Sequence, residues 1–211
     1  MTSHEESEAD LVVLVPDKTF AAVITALLTR QQALGTRQIA SDVYVHPQHD
    51  PGCAKEAGQF LRPFLPTHGH AVVLFDFEGS GCGRARPPEI EDEVRKQLCR
   101  SGWEDRADAI VLDPELEVWA WSESPEVENC LGWSTQQLGL RRWLEKQGVW
   151  SPDAPKPSQP KEALRAALRR AGSGPPPTAL VRLARSVGLR RCTDRAFLRF
   201  RNVLRRWFPH T

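Results

Sequence analysis

The stretch "VVLFDFEGSG", residues 72–81, decides how the rest of the chain is read. An apolar run from Val72 to Phe75 leads into Asp76 and Glu78, with Phe77 between them, and then into glycine. Such a run is expected of a strand buried on both faces. Carboxylates are costly to bury without a partner, and a single intervening residue points both toward the same side of an extended chain. Two acids at the end of a buried strand therefore mark either a metal site or a solvated turn.

Working outward from this stretch, strand and helix patterns alternate. "DLVVLVPD" (10–17) is another continuous apolar run, closed by proline and aspartate. "KTFAAVITALLTRQQALG" follows, with Phe20, Val23, Ile24, Leu27 and Leu28 at helical spacing and Gly35 as the stop. "RQIASDVYVHP" reads as a second strand and "GCAKEAGQFLRPFLP" as a short helix. After the third strand, "PPEIEDEVRKQLCRSG" places Ile90, Val94 and Leu98 four residues apart. "ADAIVLDPELEVWAWS" supplies a fourth strand that runs into a helix or loop after Pro114. This order predicts an α/β fold, a mainly parallel four-stranded sheet flanked by helices.

The 211 residues, 40% hydrophobic with seven tryptophans, suffice for one domain of ordinary size and exclude global disorder. The acidic start "MTSHEESEADLVV" lacks the basic region and long apolar run of a secretory signal. No stretch approaches the roughly 20 apolar residues of a membrane span. Cys53, Cys82, Cys99, Cys130 and Cys192 form no CxxC pair. They read as free thiols of a cytoplasmic protein, and no zinc site is expected. The net charge of +1 hides an asymmetry: residues 1–150 carry −10 and residues 151–211 carry +11. The expected organisation is an acidic tail at 1–9, an α/β domain at 10–150 and a basic helical extension at 151–211. Such a split suits a basic region that docks on its own acidic domain, meets a polyanion, or does both.

In parallel sheets functional groups gather outside the carboxyl ends of the strands. Asp17 falls there after the first strand, Asp76 and Glu78 after the third, and Asp113, Glu115 and Glu117 after the fourth. Taken singly, each has a plain alternative as a cap or turn former. Convergence of three such loops describes a site for a hard divalent cation, Mg²⁺ or Mn²⁺, which takes oxygen ligands and retains waters. "GSGCG" (79–83) has neither of the spacings that cradle a phosphate.

The strand–helix order, one acid after the first strand and an acid-x-acid pair after the third, resembles the Toprim domain over residues 10–122. That domain serves topoisomerases, primases and nucleases of the overcoming-lysogenization-defect type. Two departures are visible: "VPDKTF" places Asp17 where the family has glutamate followed by glycine, and "DFE" replaces D-x-D. Each keeps a carboxylate and moves its oxygens by one methylene. "DPELEVWAWS" (113–122) is similar to the P-x-x-E-x-W segment of small Toprim-like proteins encoded beside restriction and phage-defence genes, the restriction-linked ORF B group among them. That likeness carries Glu117 and Trp119 into the motif. The whole chain resembles the small fourth components of methylation-associated bacterial defence systems. The resemblance implies metal-dependent cleavage of phosphodiester bonds, with Asp17, Asp76 and Glu78 as ligands and Glu117 as ligand or orienter. The rival expectation is a non-catalytic, Toprim-shaped adaptor that binds other proteins of a defence system.

The second half begins with the stiff connector "WSPDAPKPSQP" (150–160). "PKEALRAALRRAG" then reads as a helix with Ala163, Leu164, Ala167 and Leu168 on one face, and "SGPPPTA" as a break. In "TDRAFLRFRNVLRRWFP" the apolar residues Phe197, Phe200, Val203, Leu204 and Trp207 share one side of a last helix. Arg195, Arg199 and Arg206 form the opposite stripe, either a solvated face or a set of phosphate contacts to nucleic acid. Lys156 and Lys161 face the same choice, and Lys161 is as well placed to pair with the acidic domain. His46 lies where a general base for the acidic edge would be, but a structural role is expected for it and for His49, His68 and His70. No Ser or Cys sits on a G-x-S-x-G turn.

Overall fold

Four apolar runs become four strands: β1 (Ala9–Val15), β2 (Ser41–Val45), β3 (His68–Asp76) and β4 (Ala107–Leu112). The computed structural model describes residues 9–122, 124–189 and 192–210, so the tail expected at 1–9 lies outside the described residues except for Ala9. All strand pairs are parallel, in the order β2-β1-β3-β4. In register, Val13 lies between Val43 and Val72, and Leu74 lies beside Ile110. Leu11, Val13, Val15, Val72, Leu74, Ile110 and Leu112 face one side, and Val12, Leu14, Val73, Phe75, Ala109 and Val111 the other. Both faces are covered, which is why the strands read as continuous apolar runs.

The helices are α1 (Lys18–Leu28), α2 (Gln31–Leu34), α3 (His49–Lys55), α4 (Ala57–Leu61), α5 (Pro87–Arg100), α6 (Pro125–Cys130), α7 (Leu140–Lys146), α8 (Pro160–Ala171), α9 (Pro176–Ser186) and α10 (Arg195–Trp207). The α3–α5 layer packs Cys53, Leu61, Ile90, Val94 and Leu98 on one face of the sheet. The opposite face carries α1 and α2, and the same core continues through Trp121, Trp133, Leu164, Leu168, Leu183, Phe197, Phe200 and Leu204. The basic extension at 151–211 is therefore built into the core of the α/β fold rather than standing apart from it.

The "PPP" that reads as a break opens α9 instead. Pro176 and Pro177 occupy its first turn, where a missing N–H is no loss. The helix expected to run to Gly35 is split: α1 ends at Leu28, and Gly35, at φ 75°, ends the separate α2, where a Cβ would lie 2.7 Å from Arg205 Nε.

The last helix closes the sheet. β4 is an edge strand, and an unpaired edge invites pairing with another chain. Here side chains satisfy it. Val111 N donates to Glu91 Oε1 (2.9 Å), while Arg195 Nη2 donates to the Val111 carbonyl (3.1 Å) and Arg199 Nε to that of Ala109 (3.3 Å). Glu91, only 1% exposed, receives both Arg195 Nη atoms at 2.9–3.0 Å. Asp108 accepts Ala109 N (2.8 Å) and Arg199 Nη2 (2.6 Å), with Arg206 Nη2 at 3.7 Å. Beyond α10, Phe208 O accepts Arg37 N (3.1 Å) and Thr36 bridges Pro209.

Candidate acidic cleft

In the order β2-β1-β3-β4, the helices that follow β1 and β3 lie on opposite faces of the sheet. A crevice opens outside the carboxyl ends of such a strand pair. Asp17 stands two residues past β1, and Asp76 is the last residue of β3.

Three loops converge at this point. Asp17 caps α1 in extended conformation, its Oδ1 accepting Phe20 N at 2.8 Å. The capping role and a place in the cleft coexist, because the second oxygen is not used by the cap. After β4, a cis Asp113–Pro114 bond leads to a 3-10 turn over Leu116–Ala120, which carries Glu117. Asp17, Asp76 and Glu117 line one cleft of about 330 Å³, together with Lys161 and Arg165 of α8 and Pro176 and Pro177 of α9. The predicted pair is thereby split. β3 stops at Asp76, the chain turns, and Glu78 is exposed and absent from the lining, its N–H donating to Pro114 O (2.9 Å). With the strand ended, the alternation that would have kept Glu78 beside Asp76 no longer applies.

Asp50 is the acid that sequence reading missed. It stands in the first turn of α3, and its Oδ1 accepts Asp76 N at 2.9 Å. The preceding His49 has φ 52° and places Nδ1 2.9 Å from Pro16 O, tying this turn to the end of β1. The available signal was an acid just past the second strand, in "HPQHDPGC", at the same sheet edge as the other acids.

The electrostatics are one-sided. Burial raises the Asp76 carboxyl well above its ordinary range, and Asp50, Glu117 and Glu115 push it further. Asp76 Oδ1 is shielded from solvent and has no hydrogen-bond partner among the described residues. Burial likewise raises Asp50, with Asp17 adding to the effect. Glu117 is also raised by burial, against the pull of Lys161. Burial would lower Lys161, but Glu117 and Glu115 outweigh it and the ammonium sits above its usual value. Glu115 anchors α8, accepting Lys161 N at 3.0 Å with Lys161 Nζ at 3.4 Å.

The remaining candidates lie elsewhere. His46, 2% exposed, packs so closely on α3 that a Cβ at Gly52 would fall 1.9 Å from its Nδ1. Burial lowers its pKa, and Gln48 N donates to its Nδ1 (3.1 Å), the structural role expected of it. His68 meets Asp42 (3.1 Å), and the His70 ring packs at a tilt against Trp207 (4.6 Å between rings). Trp119 donates to Asp194 Oδ1 (3.0 Å) and stacks on Phe200. Arg195, Arg199 and Arg206 remain partly exposed but are turned onto Glu91 and Asp108, away from the cleft. Lys156 bonds Val118 O and Asp194.

Among the described residues, no three His, Cys, Asp or Glu side chains are arranged to hold a metal ion as they stand. None of the helices there is long and apolar enough to cross a membrane. Compared with known proteins, the chain matches no family model, no curated protein and no solved structure.

Proposed function

We propose that this chain is a Toprim-like, divalent-metal-dependent phosphodiesterase acting on nucleic acid, working in the cytoplasm as part of bacterial phage defence. One observation carries the reading: the shielded, unpartnered Asp76 carboxylate oxygen at the crevice of the sheet, with Asp17 and Glu117 lining the same cleft. An orphaned buried oxygen among acids with raised pKa values fits a hard cation, and an all-oxygen donor set suits Mg²⁺ or Mn²⁺. Such an ion keeps several waters, so Asp76 with one of Asp17 or Glu117 would hold it. Glu78, outside the cleft lining, is left out of this assignment. When bound, the cation supplies an activated water and charge stabilisation at the leaving oxygen. Lys161 and Arg165, in the lining of the same cleft, orient the phosphodiester, and Glu117, its carboxyl raised above the ordinary value by burial, is ligand or orienter beside Asp76. The Toprim and defence assignments rest on the sequence resemblance at "VPDKTF", "DFE" and "DPELEVWAWS".

A second reading has its own support. Lys161 reaches Glu115 and acts on Glu117, so the chain carries an internal cation beside its acids, as a non-catalytic adaptor of a defence system would. Thermal melting in Mg²⁺ or Mn²⁺ against chelator separates the two. The phosphodiesterase reading expects a rise in melting temperature that Asp76→Asn abolishes, with metal-dependent cleavage of an oligonucleotide lost in the same variant. No metal-dependent shift in the intact chain hands the function to the adaptor.

A further inference from the structure

We propose that Lys161, Arg165 and Arg169 of α8 form a track for a nucleic-acid phosphate backbone that leads into the acidic cleft. The proposal deepens the phosphodiesterase reading and rests on it for the identity of the polyanion. The three residues are spaced by four, so they stand one above another on a single face of the helix. At 1.5 Å per residue the row is about 12 Å long.

Its two ends are different. Lys161 lies at the cleft, 3.4 Å from Glu115, and Arg165 lines that cleft as well. Arg165 also lines an adjoining groove of about 430 Å³, together with Arg169, Ser173, Gly174 and Pro176. One arginine thus belongs to both depressions, and the row runs from the acids outward along the groove.

Lys161 is engaged by Glu115, and the available charge on this row is that of the two arginines. Arg169 is exposed, and its guanidinium has no hydrogen bond or ion pair among the described residues. Arg165 meets only Glu162, at 2.7 Å, and both side chains are about half exposed, a pair worth little in water. Over residues 160–189 six basic residues stand against the single acid Glu162. The stripe on α10, by contrast, is largely occupied by Glu91 and Asp108, so sequence spacing pointed to the less available of two basic rows. Arginine suits the role because its planar fork matches phosphate geometry.

The test is fluorescence anisotropy of the full chain with a dye-labelled single-stranded oligonucleotide, in chelator, over a range of salt. Binding by the intact chain should fall linearly in log affinity against log salt. Arg165→Gln with Arg169→Gln should weaken binding to all sequences alike and reduce the salt slope by about 1.4. Arg169→Gln alone, which breaks no contact in the fold, should give about half that change. Arg62→Gln with Arg100→Gln removes equal charge from the α3–α5 layer and should leave the slope unchanged. An equal loss in this control, an unchanged slope in the track variant, or no binding by the intact chain at low salt would overturn the track. The two readings fail separately. Metal-dependent cleavage at the wild-type rate in the track variant removes the track and the orienting role of Arg165, and leaves the phosphodiesterase standing. Track-dependent binding without metal-dependent cleavage removes the phosphodiesterase alone.

Discussion

Two groups of acids lie within this small fold, and they are treated in opposite ways. At the β4 edge, Glu91 and Asp108 are buried, and each meets guanidinium groups: Arg195 and Arg199 for the first, Arg199, Arg95 and Arg206 for the second. At the carboxyl ends of β1 and β3, Asp17, Asp50, Asp76 and Glu117 crowd together, and Lys161 and Arg165 of the cleft lining are not matched to them one for one. Breaking a matched buried pair is costly because the remaining charge is stranded. An unmatched group makes the fold less stable from the outset, and such groups cluster where a site needs them. The first group holds the fold together, and the second is the one that binding would relieve.

The sharpest way to break this contrast is Glu91→Ala. It strands Arg195 and leaves Val111 N without its acceptor, so a loss of about 2–3 kcal/mol in urea unfolding is expected, less than for a wholly buried pair because Arg195 is 46% exposed. A loss near zero would mean that the β4 edge is held by packing alone.

Asp76→Asn should act the other way, with a gain of about 1–2 kcal/mol at neutral pH in chelator. The sign follows from the direction of the shift. The folded pKa of Asp76 lies above its unfolded value of 3.8, so its ionisation costs the fold nothing below that pH. Stability is lost as pH rises from about 4 toward the folded pKa, where the unfolded chain has released a proton that the folded one still holds. Melting curves between acid and neutral pH should slope downward with rising pH in the intact chain and less so in the variant. Asp50 and Glu117, shifted the same way, leave a residual slope.

The smallest effect is expected for Lys161→Met. It removes the partner of Glu115 and Glu117, but Lys161 is 43% exposed, which limits the loss to under about 1 kcal/mol. Its contribution is fully present at neutral pH, because its folded pKa is raised and the ammonium is lost only in alkali. The variant should show a steeper pH slope than the intact chain.

The matched group was the harder one to read from sequence. Glu91 flanks the stripe Ile90, Val94 and Leu98 and looks like any solvent-side acid of α5, because its partner Arg195 is 104 residues away. β1, β3, β4, α1 and α5 were legible from unbroken apolar runs and four-residue spacing, as these elements bury wide faces. α9 was hidden because prolines in its first turn look like punctuation. Asp17, Asp76 and Glu117 were found because strand ends are visible in sequence and topology gathers them. Glu78 was misplaced because alternation holds only while a strand continues, and Asp50 was missed because its contact with the end of β3 is made across the intervening β1.

The closure of β4 by α10 also has a consequence for vectorial synthesis. The strands are made first, yet the edge carbonyls of Ala109 and Val111 accept from arginines that follow Asp194, and Phe197 and Phe200 join the core from the same helix. Until those residues leave the ribosome, the nascent chain presents an open strand edge beside uncovered apolar surface, the combination most prone to misassociation. The arginines of α10 thus set how late in translation this protein becomes safe from its neighbours.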